Sequence, residues 1–401
     1  MKTLVSASAH FALTPDGALW TPNSSLQYSF WTRYLSAYDE VHLLVQTKKC
    51  ATPPAGWNKA TGEGVVAAPV PDFLTPRLLV QNLGAVKKIV RQTLSQTEAV
   101  HLRVCCFLGN IVWRELEAGR PFGVEVVADP YDSYAPGALH HPARSFFRWW
   151  LPREMRNQCA AACAATYVTR EALQRRYPPG PDAFSTYFSN VDLRGEFLVD
   201  APRGAPDANK RFELVLVGTL AQMYKAPDVL IRAIEKCVRE GLDLQLTLIG
   251  SGRHVEELEA LAKSLGIGDR MIFRGQVFRR DEVKAELDAA DLFMLPSRQE
   301  GLPRAMVEAM ARALPCIGST VGGIPELLPP EDLVPPGDVD ALAKKISEVL
   351  RDPQRMKAMS ARNLETAREY EEGLLRKRRD AFYDYVKNQT AAYFGSTPGR
   401  L

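Results

Sequence analysis

The second half of the chain repeats one pattern, a short apolar run closed by glycine, serine or proline and then a segment of helical period. The runs are "FELVLVGTL" (212–220), "LQLTLIG" (244–250), "RMIFRG" (270–275), "DLFMLPS" (291–297) and "LPCIGS" (314–319). Between them lie "DVLIRAIEKCVREG" and "HVEELEALAKSLG", whose apolar residues recur at helical spacing. Strands that alternate with helices form a parallel sheet covered by helices on both faces. Binding sites on such sheets lie beyond the carboxyl ends of the strands. Here those ends are Gly218-Thr219, Gly250-Ser251-Gly252, Gly275-Gln276 and the stretch from Pro296 to Glu300.

The first half shows the same alternation less cleanly. "TLVSAS", "EVHLLVQ", "GVVAAPV", "AVHLRVC", "GVEVVAD" and "ATYVT" read as strands, with residues 2–7 as the first core strand. Helices are expected at 24–37, 74–95, 154–164 and 171–177. A chain of 401 residues fits two domains of ordinary size. The Gly-, Pro- and charge-rich stretch 193–211 reads as the hinge between them. The expected division is 1–195, 196–370 and a terminal helical tail, 371–401, crossing back to the first domain.

The charge balance, 50 basic against 47 acidic residues, argues against a nucleic-acid partner. Seven cysteines without a CxxC pair read as reduced thiols. No run reaches the roughly 18 apolar residues of a membrane span, and the apolar start is too short for a signal peptide. The expected location is cytoplasmic, with the inner face of a membrane also open.

The stretch "EGLPRAMVE" (300–308) carries the chemistry. Pro303 suits the first turn of a helix, where its missing N–H is no loss. The free amides of Arg304, Ala305 and Met306 then form a positive helix end that suits a phosphate. Glu300 and Glu308 lie on either side of that end. They either bracket a ligand the size of a nucleotide sugar or are two solvated carboxylates.

"PSRQEGLPRAMVEAMARALPCIGSTVGGIPELL" resembles the retaining nucleotide-sugar glycosyltransferases of glycosyltransferase family 4. The resemblance continues through "VGTLAQMYKAPDVLIRAI" and "LIGSGRHVEELEALAKSLGIGDRMIFRGQV", and it is strong over roughly residues 210–350. It implies a GT-B fold, two Rossmann-like doubly wound α/β domains facing each other across a cleft. The activity it implies is transfer of a hexose from a nucleoside-diphosphate sugar, UDP or GDP, to a hydroxyl. A surface polysaccharide or a lipid-linked oligosaccharide would be the acceptor, with no metal and no other cofactor. The alternatives are a catalytically silent sugar-nucleotide-binding subunit and a transferase to a small-metabolite acceptor.

By this resemblance, Glu300 would contact the donor sugar and stabilise charge on its ring, and Glu308 would accept from both ribose hydroxyls. Lys225 would neutralise the leaving diphosphate. Gly301, Leu302, Pro303, Arg304 and Ala305 would line the diphosphate, and Gly275, Gln276 and Val277 would meet the base. Thr219 stands where the family has an arginine, and Arg304 is the candidate replacement for that charge. Ala226 stands where glycine is common, an exchange expected to matter little. Gly17 would let the first domain's backbone approach the diphosphate, or it is only a turn. Asp129, after Ala128 in place of the family's histidine, would touch a sugar hydroxyl or satisfy loop amides. Arg103 is an acceptor-side candidate.

Other groups read more plainly. Asp338-Val339-Asp340 is a helix cap rather than a metal motif. The six histidines show no ligand spacing, and His140-His141 read as solvated. "ARSFFRWWLPREMR" (143–156) is either a membrane-surface patch or a helix packing Phe146, Phe147 and Trp150 inward.

Overall fold

The computed structural model describes residues 1–73, 76–104, 107–134, 143–191, 193–204, 211–277 and 279–396. His140, His141, Cys105, Cys106, the first two residues of the expected helix 74–95 and residues 205–210 of the expected hinge lie outside them. Cys50, Cys159, Cys163, Cys237 and Cys316 are free thiols.

Among the described residues, the first domain is built on nine strands, β1 (Lys2–Leu13), β2 (Leu19–Thr21), β3 (Glu40–Lys49), β4 (Asn58–Lys59), β5 (Val65–Pro71), β6 (Ala99–Val104), β7 (Gly123–Val126), β8 (Ala164–Tyr167) and β9 (Phe184–Tyr187). The parallel strands run in the order β5-β3-β1-β6-β7-β8-β9. The first strand is longer than expected because a register shift between Ser6 and His10 lets it continue beside β3. Its far end turns back through β2 and β4, which pair antiparallel. The expected helix 24–37 is broken into three short helical pieces, and a helix at Phe107–Glu115 was not foreseen.

Among its described residues the second domain has six strands, β10 (Phe212–Val217), β11 (Leu244–Ile249), β12 (Met271–Gly275), β13 (Leu292–Leu295), β14 (Cys316–Ser319) and β15 (Leu333–Val334). All are parallel, in the order β12-β11-β10-β13-β14-β15. This is the doubly wound order in which the first strand lies beside the fourth. The crossovers leave on opposite faces there and open a crevice between β10 and β13. Asp338 caps the helix Val339–Leu350 by accepting from the Ala341 amide, as its position suggested.

After Tyr370 the chain returns to the first domain. The amide of Glu372 donates to the Leu193 carbonyl at 2.8 Å, so the outgoing and returning segments meet side by side. The last helix, Glu372–Gly395, then lies on the first sheet. A Cβ on Gly123 would stand 2.9 Å from both Phe382 and Val386, so only glycine lets this helix come so close.

The same helix seals His101 on β6 among Tyr34, Tyr38, Phe382 and Tyr383. Nε2 lies 2.9 Å from the Tyr38 hydroxyl, and burial pushes the imidazole down to about 3. Between pH 6.5 and 3 the unfolded chain therefore binds a proton that the folded chain refuses. The contribution of His101 to stability is whole above that window. It falls by up to about 1.4 kcal/mol per pH unit on acidification through it. Urea denaturation between pH 7 and 4 should show a shallower fall for His101→Gln than for the wild type. Parallel curves would contradict this.

Candidate functional site

The crevice between β10 and β13 is lined by the two loops that leave those strands. From β10 the chain runs through Gly218 and Thr219 to a short turn, Met223–Lys225, and then to the helix Pro227–Arg239. From β13 it runs through Pro296–Pro303 to the helix Arg304–Ala311. The two loops meet at Lys225 and Glu300. Lys225 Nζ lies 2.6 Å from Glu300 Oε1, and the Ser297 hydroxyl donates to the same oxygen at 2.7 Å. The lysine side chain is 13% exposed and the glutamate 7%, so the pair is largely screened from water yet reachable from the crevice.

Lys225 and Glu300 were expected to act on different parts of a ligand, and the structure joins them in one ion pair. The Tyr224 hydroxyl is pushed up to about 12, chiefly by burial and further by the charge of Glu300, with Arg304 opposing. Ala226, next to Lys225, is left-handed, with φ 54° and ψ 45°. A residue bearing a Cβ is strained there by about 1–2 kcal/mol. The exchange for glycine therefore does matter, contrary to the expectation from sequence.

The helix start also differs from expectation in one respect. Pro303 is the residue before the helix, with φ −74° and ψ 107°, and its carbonyl accepts from the amides of Met306 and Val307. The Met306 amide is thus taken. Those of Arg304 and Ala305 have no acceptor among the described residues, and they carry the positive helix end. Arg304 is exposed and pairs with no carboxylate among the described residues. Glu308 is half-buried a turn further on, and Leu302 is buried. Gly322 and Gly323 lie on this loop. A Cβ on Gly322 would stand 2.2 Å from the Glu300 carbonyl, and the Gly323 amide donates to Gly301.

Thr219 is exposed at the end of β10, where its hydroxyl accepts from the Ala221 amide at 3.1 Å. Gly275 ends β12, two strands away from β10. The Gln276 side chain accepts from the Ser251 hydroxyl, and Val277 is half-buried.

Three first-domain candidates are placed differently. The Asp129 carboxylate accepts from the Tyr131 amide at 2.8 Å and the Tyr177 hydroxyl at 2.5 Å, and it pairs with Arg176. It is 5% exposed and fully engaged in its own domain, so it does not present itself to a sugar. Arg103 is buried too, paired with Glu125 at 2.6 Å beneath the Phe30 ring, which removes it from the acceptor side. Gly17, with φ 80°, is the exposed turn of the β1–β2 hairpin, and nothing lies within 4 Å of where its Cβ would stand.

Several residues at the crevice were not singled out from sequence. Arg298 grips Asp228 through both carboxylate oxygens, at 2.8 and 2.7 Å. Burial works to raise the Asp228 carboxyl, but the Arg298 fork outweighs it and holds it below the ordinary carboxylate range. Gln299 donates to the Ser133 hydroxyl of the first domain at 2.8 Å. Glu326, quoted only as part of "GGIPELL", accepts from the amides of Arg170, Glu171 and Ala172 and so joins the domains. An acidic residue in a single helical turn gives no sign of its partner when that partner is over a hundred positions away.

Residues 211–352 match the family model described as Glycosyl transferases group 1. The matched stretch lies within the second domain, from β10 to the helix Val339–Leu350. The chain is 27% identical to Protein CapJ of Staphylococcus aureus, over 82% of its own length and 81% of that protein's. It is 31% identical to an N-acetyl-alpha-D-glucosaminyl L-malate synthase of Bacillus anthracis, over 44% of its own length and 46% of the synthase. A GDP-mannose-dependent monoacylated alpha-(1-6)-phosphatidylinositol monomannoside mannosyltransferase of Corynebacterium glutamicum is 36% identical, over 34% of this chain and 38% of that protein. Beyond CapJ, the chain thus spans less than half the length of these relatives.

Among solved structures, a sucrose-phosphate synthase from Thermosynechococcus elongatus superposes with a TM-score of 0.69 at 17% identity, covering 97% of this protein and 99% of that chain. Anabaena Alr3699/HepE, solved in complex with UDP-glucose, superposes with 0.63 at 18% identity, covering 99% and 100%. The fold is therefore GT-B.

Proposed function

We propose that this protein is a transferase that moves a hexose from a nucleoside-diphosphate sugar to an acceptor hydroxyl, with retention at the anomeric carbon and without a metal ion. The observation that carries this reading is the Lys225–Glu300 pair at the crevice between β10 and β13, beside the two free amides of a helix start. A diphosphate seated on the Arg304 and Ala305 amides meets the positive end of the helix. Lys225 adds a point charge where the leaving phosphate becomes more negative, which is the role a metal ion would otherwise fill. Arg304, exposed beside that seat, supplies the second cation in place of the arginine absent at Thr219.

Glu300 then faces the sugar ring, where its carboxylate offsets the positive charge that develops as the glycosidic bond breaks. Glu308 offers two oxygens to the vicinal ribose hydroxyls. With Asp129 engaged elsewhere, the departing phosphate oxygen is the base that takes the acceptor's proton on the same face. The protein's share is positioning, charge stabilisation and exclusion of water. The donor base rests on Gly275–Val277, with UDP and GDP as the candidates.

The acceptor is a growing surface polysaccharide or a lipid-linked oligosaccharide, met at the inner face of a membrane. No described helix is long and apolar enough to cross one. The helix Arg144–Ala161 supports a peripheral contact. Phe147 and Trp150 pack on Phe107, while Phe146 and Trp149 are each 53% exposed beside Arg148 and Arg153. Apolar rings among arginines suit the boundary of an anionic bilayer.

The test is incubation with UDP-glucose, UDP-N-acetylglucosamine and GDP-mannose, following donor hydrolysis with and without EDTA. Transfer to an acceptor extract, with the anomeric configuration of the product read by NMR, completes it. Turnover of one donor, insensitive to EDTA and giving a product with the donor's anomeric configuration, is expected. Inversion, abolition by EDTA, or nucleotide binding without any turnover would each contradict the corresponding part of the reading.

A further inference from the structure

The loop Ser297–Glu300 sends its side chains in separate directions. Ser297 and Glu300 meet at Lys225, and Gln299 reaches the first domain. Arg298 reaches the same turn from its other side and grips the residues that flank Lys225. Its amide donates to the Tyr224 carbonyl at 2.7 Å, and its guanidinium donates to the Met223 carbonyl at 2.8 Å and to both oxygens of Asp228. These bonds enclose the turn that carries Lys225, from Met223 through the left-handed Ala226 to the second residue of the following helix.

That turn is where restraint is needed. Ala226 holds a conformation that a residue with a Cβ leaves when it can, and strained backbone persists only where its surroundings over-determine it. Relaxation of Ala226 would rotate the preceding peptide and carry Lys225 with it. Arg298 blocks this by fixing the carbonyls of the two residues before Lys225 and the carboxylate three residues after it. A lysine could not do the same, because one ammonium on a flexible stem cannot match a carboxylate with two parallel bonds and reach a third acceptor in the same plane.

We propose that Arg298, braced by Asp228, is a positioning residue for transfer, which keeps the strained Lys225 turn in the one arrangement that holds Nζ at Glu300 and over the leaving phosphate. The proposal rests on the donor-site reading above. It assigns to Arg298 a share in turnover although the side chain contacts neither the donor seat nor Glu300.

The experiment compares wild type, Arg298→Lys, Arg298→Lys/Ala226→Gly and Lys225→Ala. The donor is whichever of UDP-glucose, UDP-N-acetylglucosamine and GDP-mannose the wild type turns over. Arg298→Lys should lower kcat at least tenfold and change the donor KM less than threefold, because Glu308 and the helix start are untouched. Adding Ala226→Gly removes the strain that Arg298 restrains and should recover at least a third of the lost kcat.

Wild-type kcat in Arg298→Lys would overturn the proposal. So would a double variant that regains thermal stability but not kcat, since Arg298 would then serve packing alone. If Lys225→Ala is impaired and Arg298→Lys is not, only the positioning role fails. If Lys225→Ala keeps wild-type kcat, the donor-site reading fails and the positioning role with it.

Discussion

Glu300→Gln should lower turnover by about two to three orders of magnitude while nucleoside-diphosphate affinity changes less than about threefold. The amide is the same size as the carboxylate, and its carbonyl can still accept from Lys225 and Ser297, which bond to Glu300 at 2.6 and 2.7 Å. The fold and the diphosphate seat are therefore kept. What is lost is a negative charge, which matters only when the sugar ring turns positive in the transition state. An interaction made only there lowers kcat and leaves ground-state binding alone. Steady-state kinetics and calorimetry on the same preparation check both halves. A variant with kcat within threefold of wild type would remove Glu300 from the reaction.

The second large effect lies away from the crevice. Glu125→Ala should destabilise the first domain by about 3–5 kcal/mol, because it takes the opposing carboxylate away from the buried Arg103 charge. The two side chains are 7% and 2% exposed, and they stand opposite each other on β6 and β7. The Tyr34 hydroxyl also loses its acceptor, since it donates to Glu125 at 2.6 Å. Replacing both charges, as in Arg103→Leu/Glu125→Met, should recover most of the loss, because it is the uncompensated charge that is costly. Urea denaturation would show this as a lowered midpoint for the single variant and a near-normal one for the double. A loss below 1 kcal/mol for Glu125→Ala would mean that water reaches Arg103.

The second domain was the more legible from sequence because its strands are short, apolar throughout and separated by amphipathic helices. "FELVLVGTL" and "DLFMLPS" become β10 and β13, and their ends define the crevice. The first domain departs from that pattern. The hairpin strands β2 and β4 have only three and two residues, too few for any periodicity to show. The stretch 24–37 has helical spacing but breaks into separate turns.

The site divides in the same way. Glu300, Glu308 and Lys225 stand in a recognisable motif, and the structure joins Lys225 to Glu300 across 75 positions. Asp129 and Arg103 are charged residues near strand ends, which is also where a ligand-facing residue would stand. That Tyr177 and Arg176 engage one and Glu125 the other depends on partners from separate elements. Arg298 and Asp228 were passed over for the same reason, 70 positions apart and joined only by the order of the sheet. Ala226 could have been noticed earlier, since a glycine common at one position often marks a left-handed residue.

The central claim is that a nucleoside diphosphate seats between Lys225 and the start of the helix Arg304–Ala311. Calorimetric titration of UDP and of GDP into the wild type and into Lys225→Ala tests it most directly. One of the two nucleotides should bind the wild type, and Lys225→Ala should weaken it at least tenfold without loss of folded protein. Binding of neither nucleotide, or equal affinity in the two proteins, would contradict it.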